Sequence, residues 1–177
     1  RATVSGDVDL PASHRKLIFV TPGGGGSPDQ ASAEVLGRFA SRAFRRPATS
    51  QEVKRLVQLA AKVRAESGRF EEGIQVAIQA ILVSPHFLFK VETPKQVDAH
   101  GKMPLVTQYE LATRISYFLW SSMPDDELLL LAHRGQLRDP TRLLDKVARM
   151  LRDPRANRFV KNFAGQWLQL RNLDQVR

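Results

Sequence analysis

The run Asp125-Asp126-Glu127 sets three carboxylates side by side, the raw material of general acid–base catalysis. It also stands between Pro124 and an apolar stretch that begins at Leu128. Acids at such a place cap a helix and meet the positive end of its dipole, and that is the role expected of them. Ser121 and Ser122 precede the run but lack the Gly-x-Ser-x-Gly setting that exposes a nucleophile. The four histidines, His14, His86, His100 and His133, are scattered. None lies in His-x-x-x-His or Glu-x-x-His spacing, and a metal needs three or four converging ligands. His86 stands among aromatics after an apolar run. A core imidazole bonded to backbone is the expected reading, and a haem axial ligand, which would need an attachment site or a second ligand, is the alternative. With no cysteine present, disulfides, thiolate zinc sites, Cys nucleophiles and thioether haem attachment are excluded within these residues. No catalytic, cofactor-binding or metal-ligating residue is assigned.

Two further groups invite chemistry. Arg42, Arg45 and Arg46 present three planar forks that suit phosphate or carboxylate. The expected use is structural, with at least one of them locking helices through a salt bridge or a carbonyl contact, and with Asp125–Glu127 as the acidic partner. Phe159, Phe163 and Trp167 fall at i, i+4 and i+8 on one helix face. The basic residues Arg155, Arg158 and Lys161 are offset from that face, unlike a base-stacking platform. The stripe is therefore expected to be core, buried against the Leu111–Trp120 helix. Gly23 to Gly26 are followed by Ser27-Pro28 with no Lys, so they read as a linker and not a phosphate loop.

These residues must be positioned by helices. Ser27 with Gln30, Thr49 with Glu52 and Thr107 with Glu110 each have the spacing of a capping box. The first helix is expected to run to about Arg46, where Pro47 stops it. The second carries Val53, Leu56, Val57, Ala60 and Val63 and closes at Gly68. The third begins near Phe70 and is almost wholly apolar from Ile74 to Val83, as a central helix would be. Ser84-Pro85 ends it. Residues 93–102 read as a polar loop. Leu137-Arg138-Asp139-Pro140 and Leu151-Arg152-Asp153-Pro154 repeat one helix-start signal, Asp as cap and Pro at the first position. The last helix is expected from Pro154 to about Leu170. Leu17-Ile18-Phe19-Val20 reads as a lone strand, either the end of a preceding domain or a piece docked on the helical body. The fold expected is all-α, a multi-helix bundle of about seven helices with that short N-terminal strand.

The length of 177 residues suits one domain, or one domain and part of another. Opening at Arg1 without Met, the chain reads as cut from something longer. No apolar run approaches the roughly 18 residues that would suggest a membrane span. Lys and Arg number 27 against 18 Asp and Glu, a net charge of +9. The excess lies in residues 38–69 and 134–161. Such surfaces attract acidic partners, although most helical charge runs are solvated faces.

Four stretches carry a family resemblance. They are Arg42-Ala43-Phe44-Arg45-Arg46-Pro47, Ile81-Leu82-Val83-Ser84-Pro85-His86-Phe87-Leu88-Phe89, residues 116–128 (SYFLWSSMPDDEL), and Asn162-Phe163-Ala164-Gly165-Gln166-Trp167-Leu168. They resemble two adjacent domain-of-unknown-function families, 1595 over about residues 30–92 and 1592 from about Leu105. The resemblance implies a helical pair from a large exported protein of planctomycetes and related bacteria. Other domains of such proteins include a cytochrome-c-like haem region, and a β-rich domain precedes the pair. It also implies that the second domain runs on past Arg177. Many members carry two cysteines where this chain has Thr21 and Ala31, so a staple they form would be missing here.

The domain reading that follows is 1–26 as the end of a preceding domain and a linker, 27–92 as the first helical domain, 93–104 as a loop, and 105–177 as the start of the second, packed with the first as one unit. The functional expectation is a helical structural or interaction module of an exported, haem-linked multidomain protein, periplasmic or extracellular. Haem would sit elsewhere in the parent chain, none in this fragment. The alternative is part of a redox or polysaccharide-directed enzyme whose active site lies mostly outside these residues. Expected partners are other domains of the parent chain or an acidic molecule; nucleic acid is not expected.

Overall fold

The computed structural model describes residues 12–22, 26–90, 92 and 105–167. The chain divides into two compact units, Arg1–Val91 and Glu92–Arg177. Among the described residues all regular structure is helical, so the protein is all-α. The linker expected at Gly23–Gly26 falls, except for Gly26, outside the described residues, as does the loop expected at residues 93–102.

Unit 1 contains α1 (Ala12–Leu17), α2 (Pro28–Ala43), α3 (Ser50–Ser67), α4 (Phe70–Leu82) and the single turn α5 (Pro85–Leu88). Two capping boxes start its long helices. Ser27 Oγ accepts from Gln30 N while Gln30 Oε1 accepts from Ser27 N. Thr49 and Glu52 repeat the exchange before α3. Gly68, at φ 73, ends α3 in the left-handed region. Helices α2, α3 and α4 enclose a core of Val35, Leu36, Ala40, Phe44, Ala60, Ile74, Ala77 and Ile81. Where α3 meets α4, a β-carbon built on Gly73 would stand 2.5 Å from the Ala60 carbonyl oxygen. The absence of a side chain is what lets the two backbones approach.

The strand expected at Leu17–Val20 is corrected. Leu17 closes α1, and Ile18 to Val20 are irregular. The apolar run that suggested a strand does alternate in burial: Ile18 and Val20 pack on the unit 1 core while Phe19 lies outward under the Arg38 guanidinium, 4.9 Å away. A period of two reports which side chains face inward; it does not supply a neighbouring strand for a ladder. Helix α4 also differs from expectation. It buries Gly73, Ile74, Ala77 and Ile81 but leaves Leu82 exposed, with Val83 beyond it.

Unit 2 contains α6 (Gln108–Trp120), α7 (Asp126–His133), α8 (Pro140–Arg152) and a terminal helical segment over residues 154–167. Seven α-helices thus lie between Pro28 and Arg152 among the described residues. The terminal segment is irregular, a 3-10 turn at Pro154–Ala156, an α turn at Asn157–Phe159, a π-helical turn at Val160–Ala164 and a last α turn at Gly165–Trp167. The core is Ala112, Leu119, Trp120, Leu128, Leu131, Leu137 and Met150. Trp120 is wholly buried and its Nε1–H donates to the Met150 carbonyl at 3.0 Å. Gln108 ties the α7–α8 connection back to α6: its Nε2 donates to the Gly135 carbonyl and its Oε1 accepts from Leu137 N. Both Asp-Pro starts form. Asp139 accepts from Arg142 N at 2.9 Å, and Asp153 from Arg155 N at 2.8 Å. The second opens a 3-10 turn, and there Asp153 also binds the Arg155 side chain twice.

Candidate functional site

Helix α2 stops at Ala43, short of the expected Arg46, and the stop explains the arginine cluster. Arg46 N reaches the Ser41 carbonyl and Arg45 N the Arg42 carbonyl, the paired bonds of a Schellman motif. Arg45 therefore occupies the position where glycine is usual, at φ 58. Gly135 fills the same position after α7, with Gln136 N to Leu131 O and Gly135 N to Ala132 O. A residue with a β-carbon is strained there by about 1–2 kcal/mol. What holds Arg45 is its guanidinium, which is buried. Nη2 donates to the carbonyls of His86 (2.8 Å) and Phe89 (2.9 Å), and Nη1 to those of Phe87 and Ala43 at 3.3 Å. One fork thus gathers the carbonyls of α5 and pins that turn to the end of α2.

Arg46 faces the other way. It holds both carboxylate oxygens of Glu52, at 2.7 and 3.0 Å. The Arg46 guanidinium, helped by Thr49, draws the Glu52 carboxyl down to about 2. The helix lock expected of this cluster is present within unit 1, where Arg45 takes carbonyls and Arg46 takes Glu52 as its acidic partner. Arg42 forms an interaction of its own.

The acidic run serves unit 2. Asp125 Oδ1 caps α7 by accepting from Leu128 N, and Oδ2 accepts from Arg149 at 2.8 Å. Glu127 pairs with Lys146 at 2.7 Å and with Arg149 at 3.0 Å. The Arg155 guanidinium lies 3.5 Å from the centre of the Trp120 ring, and that of Arg149 lies 5.5 Å from it. These carboxylates are spent on caps and cations. Ser121 ends α6 at φ 51, and its Oγ accepts from Asn162 Nδ2.

His86 is not the core imidazole expected. Its side chain is half exposed, its ring tilts against Phe44, and Nε2 stands 3.7 Å from Glu52. It is the backbone carbonyl of this residue that is buried in the lock. His133 Nδ1 lies 3.1 Å from the Tyr109 hydroxyl. His14 belongs to α1, and His100 lies outside the described residues. Among the described residues no three His, Asp or Glu converge as a metal would require.

Apolar surface is what both units leave uncovered. Around the α4–α5 turn, Val83, Leu88 and Phe89 are 70, 59 and 64% exposed. In unit 2 the expected burial of the aromatic stripe fails beyond its first member. Phe159 packs on the core, whereas Phe163 is 47% and Trp167 74% exposed. They are joined by Phe118 of α6, itself exposed. Helical spacing identified the face but not whether anything covers it.

Residues 31–92 match the family model described as PSD5, protein of unknown function (DUF1595), and residues 106–177 match PSD4, protein of unknown function (DUF1592). The chain joins one domain of each family, as the four motifs had suggested. No curated protein and no solved structure matches it significantly. No helix among the described residues is long and apolar enough to cross a membrane.

Proposed function

We propose that this pair of domains is a helical interaction module of a large exported, haem-linked protein, working outside the cytoplasm, with haem held by other domains of the parent chain. The exported and haem-linked setting rests on the resemblance of the motifs. The interaction reading rests on one observation, the α4–α5 turn. Its backbone is fixed by the buried Arg45 fork, yet Val83, Leu88 and Phe89 on it are more than half exposed. A rigid apolar protrusion suits docking against another domain, because little ordering entropy remains to be lost on contact.

The test is carbene footprinting of residues 1–177 alone and within the parent protein. Several-fold weaker labelling of Leu88 and Phe89 in the parent is expected. Equal labelling refutes the docking role. A Soret band in the purified parent supports the haem-linked setting, and a parent without one removes it.

A further inference from the structure

Phe118 and the row Phe159, Phe163 and Trp167 form one continuous aromatic strip. Phe118 lies 4.9 Å from Phe159 and 6.2 Å from Phe163, centre to centre. Phe159 and Phe163 are stacked at 5.2 Å, Phe163 and Trp167 at 6.1 Å. Val160, 59% exposed, stands beside them. In a regular α-helix each i to i+4 step overshoots the turn by about 40°. The π turn at Val160–Ala164 rotates less per residue, so it takes up that drift between Phe159 and Phe163.

Two features identify what fits. The rings follow one another at 5.2 and 6.1 Å, close to the pitch of about 5.4 Å at which a helix laid alongside repeats its side chains. Arg158, which donates to the Trp120 carbonyl at 3.2 Å, and Lys161 are offset from the row and exposed, and neither forms an ion pair among the described residues. Apolar centre and basic rim together have the anatomy of an interface for an acidic partner. A second copy of this chain, at net charge +9, would bring like rims together.

We propose that the aromatic strip of unit 2 seats an amphipathic helix with acidic flanks that lies outside these 177 residues, a proposal that rests on the interaction reading above. The test is a fluorescence titration. Trp120 is already buried, so a shift in emission reports Trp167. The probes are a synthetic Leu/Glu amphipathic helix, its Leu/Lys counterpart and an oligo-dT strand. The Leu/Glu helix is expected to give a saturable blue shift with affinity roughly tenfold or more above that of the Leu/Lys helix. Phe163→Ala should abolish binding while circular dichroism still shows the helical content of the wild type. Reversing Arg158 and Lys161 to Glu should invert the preference between the two helices, and this arm stands even if Phe163→Ala misfolds. Tighter binding of oligo-dT, a blue shift that grows with protein concentration alone, or no response to any probe each overturns the proposal. The titration reads unit 2, whereas footprinting reads the α4–α5 turn of unit 1. A failed titration beside a protected turn would sink this proposal alone.

Discussion

Replacing Arg45 by Ala and by Gly separates two opposed terms at one position. The guanidinium makes two short bonds to the His86 and Phe89 carbonyls and two longer ones at 3.3 Å. A hydrogen bond from a charged donor contributes about 1.5–3 kcal/mol. Taking the two short bonds at the lower figure and counting nothing for the two longer ones, Arg45→Ala should cost unit 1 about 3 kcal/mol. Gly loses the same bonds but sheds the left-handed strain at φ 58. That relief of about 1–2 kcal/mol exceeds the extra unfolded-state entropy of Gly, about 0.5–1 kcal/mol. Arg45→Gly should therefore be the milder change by about 0.5–1 kcal/mol, the reverse of the usual order in helical proteins.

The assay exploits an accident of composition. The two Trp and two Tyr of the chain, Tyr109, Tyr117, Trp120 and Trp167, all lie in unit 2. Urea unfolding followed by far-ultraviolet circular dichroism reports both units, and intrinsic fluorescence reports unit 2. Arg45 variants should lower the midpoint of a dichroism phase that fluorescence does not see. If Ala equals or surpasses Gly, the strain argument fails. If both lose less than about 1 kcal/mol, the fork does not hold the turn.

Two other outcomes are expected in unit 1. The Arg46 guanidinium holds the Glu52 carboxyl at about 2, below its ordinary 4.5, so the stability it contributes is complete above the ordinary value and is lost as pH falls from there towards about 2. An acid titration by circular dichroism should show this loss in the wild type and a flatter profile for Glu52→Gln; identical profiles would exclude the ion pair as its source. Gly73→Ala should destabilise by about 1–3 kcal/mol despite the better helix propensity of Ala, because overpacked backbone must shift. The contact at fault is the Ala60 carbonyl, 2.5 Å from the new carbon. A raised urea midpoint would show that α3 and α4 do not approach so closely.

What the sequence made legible was local. Ser27 with Gln30, Thr49 with Glu52 and Thr107 with Glu110 cap their helices as their spacing requires, because a cap involves residues three apart. The same holds for Asp139 and Asp153. Partners distant in sequence were not legible. Arg45 was recognisable as a fork, but three of its four acceptors are carbonyls 41 to 44 residues away. The Asp125–Arg149 pair, 24 residues apart, was not legible either, since nothing local distinguishes Arg149 from other arginines. Leu17–Val20 shows the same limit: an apolar run marks residues that meet a core and leaves the backbone's partner open.

The aromatic stripe carries that limit furthest. Phe159, Phe163 and Trp167 have the spacing of a core face, and Phe159 is one. The face then runs off the end of the core, and Trp167 stands 74% exposed. Single exposed rings are ordinary on a protein surface, but a stacked row of them is not. The motifs that match the two families divide in the same way. Arg45, Arg46, Asp125 and Trp120 are consumed in holding the helices, through carbonyls, Glu52, Arg149 and the Met150 carbonyl. Leu88, Phe89, Phe163 and Trp167 sit within the same motifs and are between 47 and 74% exposed. Apolar surface grouped in that way gains from contacts beyond these residues. That is why the exposed half of each motif, and not the buried half, is where partners should be sought.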